Sequence, residues 1–328
     1  MSLTTKDFPA LTEYLDSVYK ESSKNAIDEN AGINQIFDIS STETLTHLHT
    51  ILHGMGGMQA TDEDGEFVTL GNSEGDSATW TQNEYGAKIK VTKKMRIFDR
   101  TAAFTNAGGL VRSAVDASWS NIYQSLCDML SKGHATSYVD VYGKTVSALT
   151  PDGVALFSAA HTAGGVTYSN IINDGTNNNP SFSREAVVRE RANAARYKDP
   201  KGSVRPNMLD TVIVPPALED LAYRTLYSDK VAGTANNDMN PSFVKGMKII
   251  VSPYLGFAAD GTDCSARWYM CNSKMVGESL KALFKQKPML SAPTEADENN
   301  TWIYKLDAFY TSGLGFFPYI RGSAGTNS

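Results

Sequence analysis

The stretch "DTVIVPPALEDLAYRTLYSDKVAGTANNDMNPSFVKGMKIIVSPYL", Asp210 to Leu255, decides how the chain is read. Its opening "TVIV", Thr211 to Val214, is an unbroken β-branched run that reads as a buried strand. Pro215 and Pro216 stop it, because proline has no N–H for a neighbouring strand and its fixed φ suits the first turn of a helix. Leu218, Leu221, Ala222 and Leu226 then recur at helical spacing. After the polar loop "GTANNDMNPS" comes a second apolar strand in "GMKIIVSPYL". Strand, helix, loop and strand together predict an α/β lobe that begins here.

Upstream, "GGLVRSAVDASWSNIYQSLCDMLSKG", Gly108 to Gly133, keeps Val111, Val115, Trp119, Ile122, Leu126 and Met129 or Leu130 at helical spacing for six turns. At ~1.5 Å per residue this helix is roughly 35 Å long, enough to span a lobe. Gly133 is expected to end it as a left-handed cap. Trp119, Ile122 and Leu126 are expected in its core.

Between Asp62 and Phe98 the composition changes to strand-like ends around a centre rich in Gly, Ser, Asn and Asp. This predicts a long β-hairpin, with Ile89, Val91, Met95 and Ile97 on one face and Lys88, Lys90, Lys93 and Lys94 on the other. A two-stranded ribbon of that length is not stable alone. A neighbouring subunit is the natural support, so Trp80, Tyr85, Lys88, Lys90, Lys93 and Lys94 are the expected inter-subunit contacts. Earlier still, Leu11, Tyr14, Leu15 and Val18 predict a short amphipathic helix. "HLHTILHGMGG" places His49 and His53 four apart, which reads more simply as a helix end stopped by Gly54 than as a metal pair.

Downstream of the long helix, Ser183 is a plausible N-cap for "REAVVRERANAA". "ARWYMCN" and "KALFKQKPMLSAP" read as extended segments. "WIYKLDAFYTSGLGFFPYIRGS" reads as a long aromatic strand with a bend at Gly313 to Gly315.

With 328 residues, 41% of them hydrophobic and 20% charged, the chain is long enough for more than one lobe and too apolar for disorder. A formal net charge of −6 supplies no chain-wide field for tight binding to nucleic acid or an anionic membrane. There is no apolar run of membrane-spanning length and no signal segment at the N-terminus, so a cytoplasmic setting is expected. Cys127, Cys264 and Cys271 lack metal-ligand spacing and are expected to be reduced and buried.

"DGVALFSAAHT", Asp152 to Thr162, gathers an aspartate, a serine and a histidine. Ser158 is flanked by Phe157 and Ala159, however, and lacks the G-x-S-x-G elbow that exposes a nucleophile. The simpler reading is a turn at Asp152-Gly153 with Leu156 and Phe157 plugged into a core. No Gly-rich segment matches a phosphate-binding motif. No catalytic, cofactor or metal site is expected.

"DGVALFSAAHTAGGVTYSN" followed by the Asp210–Leu255 stretch resembles the major capsid proteins of tailed bacteriophages, with the HK97-type fold. The resemblance lies in an LFS-x-x-H turn, a VVPP-type strand and helix, a GTANND-N loop and a G-x-x-I/V-V strand followed by proline, all in that order. It implies an α+β fold with an N-terminal arm (1–61), an extended loop (62–98) and a peripheral domain with a spine helix (99–207). An axial domain (208–283) and a return strand to the peripheral domain (284–328) complete it. It further implies self-assembly into hexamers and pentamers around double-stranded DNA, in the host bacterial cytoplasm. A portal and a separate scaffolding or decoration protein are the implied partners, the DNA is touched only weakly and non-specifically, and no membrane is involved. Because the sequence starts directly with an arm, a fused scaffolding leader is not expected, and neither is cross-linking through the loop lysines. An encapsulin-like nanocompartment is the alternative sharing the fold, and a soluble hydrolase using His161 is a third.

Overall fold

The computed structural model describes residues 8–53, 73–92, 94, 98, 108–230, 239–240, 242–291, 294–296 and 301–326. The N-terminal part contains helix α1 (Phe8–Glu29) and strands β1 (Asp38–Ser41), β2 (Thr46–His53), β3 (Ser73–Thr81) and β4 (Asn83–Val91). Helix α2 (Gly108–Ser131) is followed by short hairpins, β5 (Ser137–Val139) with β6 (Thr145–Ser147) and β7 (His161–Ala163) with β8 (Val166–Tyr168). Next come helix α3 (Arg184–Ala195), β9 (Thr211–Val214), helix α4 (Glu219–Tyr227), β10 (Lys248–Val251) and β11 (Trp268–Cys271). The C-terminal part holds β12 (Leu280–Leu290), β13 (Thr294–Ala296), β14 (Thr301–Leu314) and β15 (Ile320–Ser323).

Along α2, Val111, Val115, Trp119, Ile122, Leu126 and Leu130 are buried at the intervals that turn one helix face to a core. That face packs on a five-stranded sheet ordered β1-β12-β14-β13, with β4 paired to the remaining edge of β14. Strand alternation decides which side chains meet the helix: Trp302, Tyr304, Leu306, Ala308 and Tyr310 point inward, level with Val91, Ile89, Ala87, Tyr85 and Asn83 of β4. On its other side α2 packs against α1, where Arg112 pairs with Glu21 at 3.3 Å, and Tyr123 donates to Asn34, five residues beyond α1, at 3.0 Å. Pro288 sits where the β12–β14 register shifts between Gln286 and Met289, a place where its missing N–H breaks no regular ladder.

The second sheet is four-stranded, β10-β9-β11-β15, and both its faces are covered. Val212, Val214, Trp268 and Met270 face a core shared with Ala186 and Val187 of α3 and Ala222 and Leu226 of α4. The alternate residues Ile213, Tyr269, Cys271 and Ile320 join the core of α2. Burial on two sides is why "TVIV" and "WYMC" carry no polar alternation. Ser183 caps α3 by accepting from the Ala186 N–H at 3.2 Å. Glu190 of α3, wholly buried, meets Arg321 of β15 at 2.5 Å; burial pushes its carboxyl up while Arg321 opposes the shift.

The segment 184–195 packs on the four-stranded sheet through Ala186 and Val187. The C-terminal segment serves both sheets: β14 belongs to the first and β15 is the edge of the second. One expectation changes here: Gly133 is not left-handed. It is needed for space, since a Cβ there would lie 2.7 Å from the Phe157 ring, as would one at Gly322 on the other side. Phe157 therefore fills a slot between two bare backbones and stacks on Tyr269 at 5.3 Å, with Leu156 fully buried beside it. The three cysteines are free and buried. No helix among the described residues is long and apolar enough to cross a membrane.

Trp119→Ala is expected to cost the subunit about 3–5 kcal/mol, as large core truncations do; an unchanged melting temperature would place this tryptophan outside the critical packing. A second outcome concerns acid. Burial, aided by Arg267, holds the His134 imidazole down at about 4, so it opposes folding progressively as the pH drops from 6.5 to about 4. Burial raises Asp128 to about 6 despite its bonds from Gln124 and Ala259, so over a similar range it favours folding. The two nearly cancel in the native chain. Asp128→Asn leaves the histidine uncompensated, and chemical denaturation should show the variant losing up to roughly 3 kcal/mol more than wild type between pH 6.5 and 4. Parallel pH profiles would contradict this.

Candidate functional site: an anchored ribbon

β2 and β3 pair antiparallel from Thr46↔Thr81 to His53↔Ser73, with a slip between Thr50 and Leu52. They form a sheet of their own. Nine residues of β3 at ~3.4 Å each make an arm about 30 Å long. The residues that connect the two strands, 54–72, lie outside the described residues, as do Gly54, Lys93, Met95, Ile97 and the 231–238 part of the "GTANND" loop.

The ribbon is fixed at its base by Trp80. A Cβ at Gly313 would stand only 2.1 Å from the indole, so glycine in β14 is what lets the ring lie on the sheet. His47 and His49 stack on the same indole, with centroids 5.9 and 5.4 Å away and planes 10° and 19° apart. Burial, with Lys281 nearby, lowers the His49 imidazole and favours the neutral ring that such a stack accommodates. Gln82, the single residue between β3 and β4, donates from its backbone to Leu45 O at 2.9 Å and from its side chain to Leu283 O at 3.3 Å.

The expected hairpin across Asp62 to Phe98 is thereby corrected. β3 does not pair with β4; it pairs with β2, while β4 pairs with β14. The reason is apolar demand: Tyr85, Ile89 and Val91 find cover on the sheet edge of their own subunit, against α2. The histidine segment is also corrected, from a helix end to a strand, in which Thr46, Leu48 and Thr50 alternate with His47 and His49. Trp80 and Tyr85, expected at a subunit contact, are engaged internally. Tyr85 sits 4.2 Å from Tyr142 and 4.8 Å from Tyr310, and burial pushes its hydroxyl up to about 12. Lys88, Lys90 and Lys94 are exposed.

Among the described residues, the ribbon face opposite His47 and His49 leaves Leu48 62% exposed, and Leu45, just before β2, is 69% exposed. On α4, Tyr223 and Tyr227 lie one turn apart with ring centroids 5.4 Å from each other and are both partly exposed, while Leu221 is exposed on another face. The Asp152–Thr162 turn offers no reactive group. His161 is fully buried, with Nδ1 2.8 Å from Asp152 and Nε2 3.0 Å from Leu156 O, so neither nitrogen is available to Ser158. Ser158 Oγ instead accepts from the Ala160 N–H at 3.1 Å. Gly153, at φ +80°, makes the turn. No cluster of metal-ligating side chains occurs among the described residues.

A family model described as phage capsid protein matches residues 76–322. Among solved structures, the capsid of Myoviridae phage XM1 is similar at a TM-score of 0.51 and 10% identity, covering 89% of this chain and 90% of that one. Gordonia phage Cozz is similar at 0.51 and 11%, covering 89% and 85%. The capsid of a native GTA particle is similar at 0.50 and 10%, covering 90% and 89%. No curated protein matches the chain.

Gly313→Val tests the anchor. The added side chain has no room beside Trp80, so subunit stability should fall by about 1–3 kcal/mol and limited proteolysis within the ribbon should accelerate. Unchanged proteolysis would mean that Trp80 does not hold the ribbon down.

Proposed function

The chain belongs to the phage capsid protein family and is a major capsid protein of a virion head, and from that premise we propose that it closes as rings of five and six copies around double-stranded phage DNA. The observation that carries this reading is the ribbon: two strands anchored at one end that pair with no third strand among the described residues. Paired strands of that length are not stable in water unaided. Copies that interlock supply the missing cover.

In this reading β2–β3 is the extended loop and residues N-terminal to it are the arm. α2 with the five-stranded sheet is the peripheral domain, and the four-stranded sheet with α3 and α4 is the axial domain. The tyrosine ridge of α4 then faces the next copy around the ring axis. Such contacts are heterologous and close by rotation, as a ring requires. Obligate interfaces bury about 2,000 Å² or more. Spread over several neighbours, contacts that are individually weak give a shell that is stable in sum and still lets misplaced copies leave. The chain's net charge of −6 favours weak, non-specific contact with packaged DNA over adhesion. A portal and a separate scaffolding or decoration protein are the partners such a head calls for, with assembly in the host cytoplasm.

Replacing residues 52–74 by a two-residue turn, which keeps Trp80 and its histidines, should leave a folded subunit that forms no closed shells in negative-stain images. Normal shells from that variant would contradict the reading. Shells of the native chain filled with protein cargo and free of nucleic acid would redirect it to an encapsulin-like compartment.

A further inference from the structure

A band of positive surface runs along α3 and into the turn beyond it. Residues 184–205 hold seven lysines or arginines against three carboxylates, a net of +4 in a chain whose total is −6. The carboxylates do not answer this charge at the surface. Glu190 is buried against Arg321. Asp199 is buried under its own turn, where Oδ1 accepts from the N–H groups of Lys201 at 3.0 Å and Ser203 at 2.8 Å. Glu185, the exposed one, pairs with Arg184 at 3.8 Å. From Ala186 to Leu209 no acidic side chain is exposed, while Arg189, Arg196, Lys198, Lys201 and Arg205 all are. Arg189 faces Asp174, and Arg205 meets Asp199 at 3.2 Å. Arg196, Lys198 and Lys201 have no ion-pair partner among the described residues.

The backbone gathers these cations and holds them in place. Arg189 and Arg196 are seven positions apart, so they share one face about 11 Å from each other along the axis, with exposed Ala192 and Asn193 between them. The chain then folds back, with Lys198 bridged antiparallel to Val204 and the Arg205 N–H donating to Tyr197 O at 2.8 Å. Gly202, at φ +82°, turns the tip. The carbonyl end of a helix draws cations to its last turn, which accounts for Arg196. Lys198 and Lys201 lie beyond that turn and need another reason.

A surface of this kind suits a polyanion, and its composition points to one class. Protein interfaces centre on aromatic or large apolar anchors, and Val204 is the one large apolar side chain that residues 184–205 expose. A duplex backbone asks instead for cations that reach its phosphates and small neighbours that let it approach, here Ala192, Asn193, Gly202 and Ser203. Resting on the shell reading for the source of that duplex, we propose that the Arg189–Arg196 face of α3 and the 198–204 turn are where the subunit touches DNA, through phosphates and without sequence preference. The contact at each copy is weak, and its repetition over many copies makes it count. The rest of the chain, at a net −10, keeps the duplex from spreading over the wall.

Binding of the unassembled full-length subunit to a short labelled duplex tests this. Log K should fall against log salt with a slope of about −3.6, the value for four phosphate contacts. R196Q/K198Q/K201Q should flatten that slope by about 2.7 and weaken binding at low salt at least about tenfold, with an unchanged melting temperature as the control for folding. A slope unaltered by the substitutions overturns the inference. Polyglutamate competing better than duplex also overturns it, assigning the face to an acidic protein. In DNA-filled particles formaldehyde should link peptides containing Lys198 and Lys201 to DNA, and filled particles that yield none overturn the inference while the shell reading stands. A chain that binds duplex through these residues yet forms no shells contradicts the shell reading alone. Should the triple variant not fold, K198Q/K201Q decides: the slope should flatten by about 1.8, and an unchanged slope overturns the inference.

Discussion

Everything else in the subunit is arranged around the packing of α2 on the inner face of β14. Trp119, Ile122 and Leu126 of the helix and Trp302, Tyr304, Leu306 and Tyr310 of the strand form one buried cluster. From it β14 reaches outward in two directions. One edge receives β12 and the other β4, and beyond Leu314 the chain crosses to the second sheet as β15. A single strand thus couples the lobe that carries the ribbon to the lobe that carries α4, and Glu190–Arg321 fastens the far end. Truncating Arg321 would strand the wholly buried Glu190 carboxylate away from water, which is more costly than the pair is worth intact.

The same strand also fixes where the ribbon starts. Gly313 is the one place on β14 where an indole lies against bare backbone, so Trp80 positions the ribbon relative to the rigid part of the molecule. An assembly element needs both properties. Its base must be rigid enough to aim it, and its outer surface must be incomplete enough to require a neighbour. Leu45 and Leu48 supply the second property at the level of apolar area.

Much of the fold was legible in the sequence where one periodicity dominated. The α2 stripe, the unbroken "TVIV" run and the Ser183 cap each follow from a local rule, and the strand and helix boundaries match it closely. Pairing was not legible. Strand alternation in residues 83–91 says which face is apolar but not whose surface covers it, and the sheet edge of β14 lies more than two hundred residues downstream. The spacing of His49 and His53 suited a helix as well as a strand, and only Trp80, on the partner strand, settles it in favour of the strand. Gly133 illustrates a subtler failure: its position after the helix fits a cap, while its cause is the Phe157 ring, which no local pattern reveals.

The central claim is that the ribbon acquires its cover only between copies. Hydrogen exchange measured on the free subunit and on assembled particles tests it most directly, by following the amides of residues 46–53 and 73–81. The account predicts rapid exchange in the free subunit and strong protection in the particle, with α2 equally protected in both. Ribbon amides as protected in the free subunit as in the particle would contradict it.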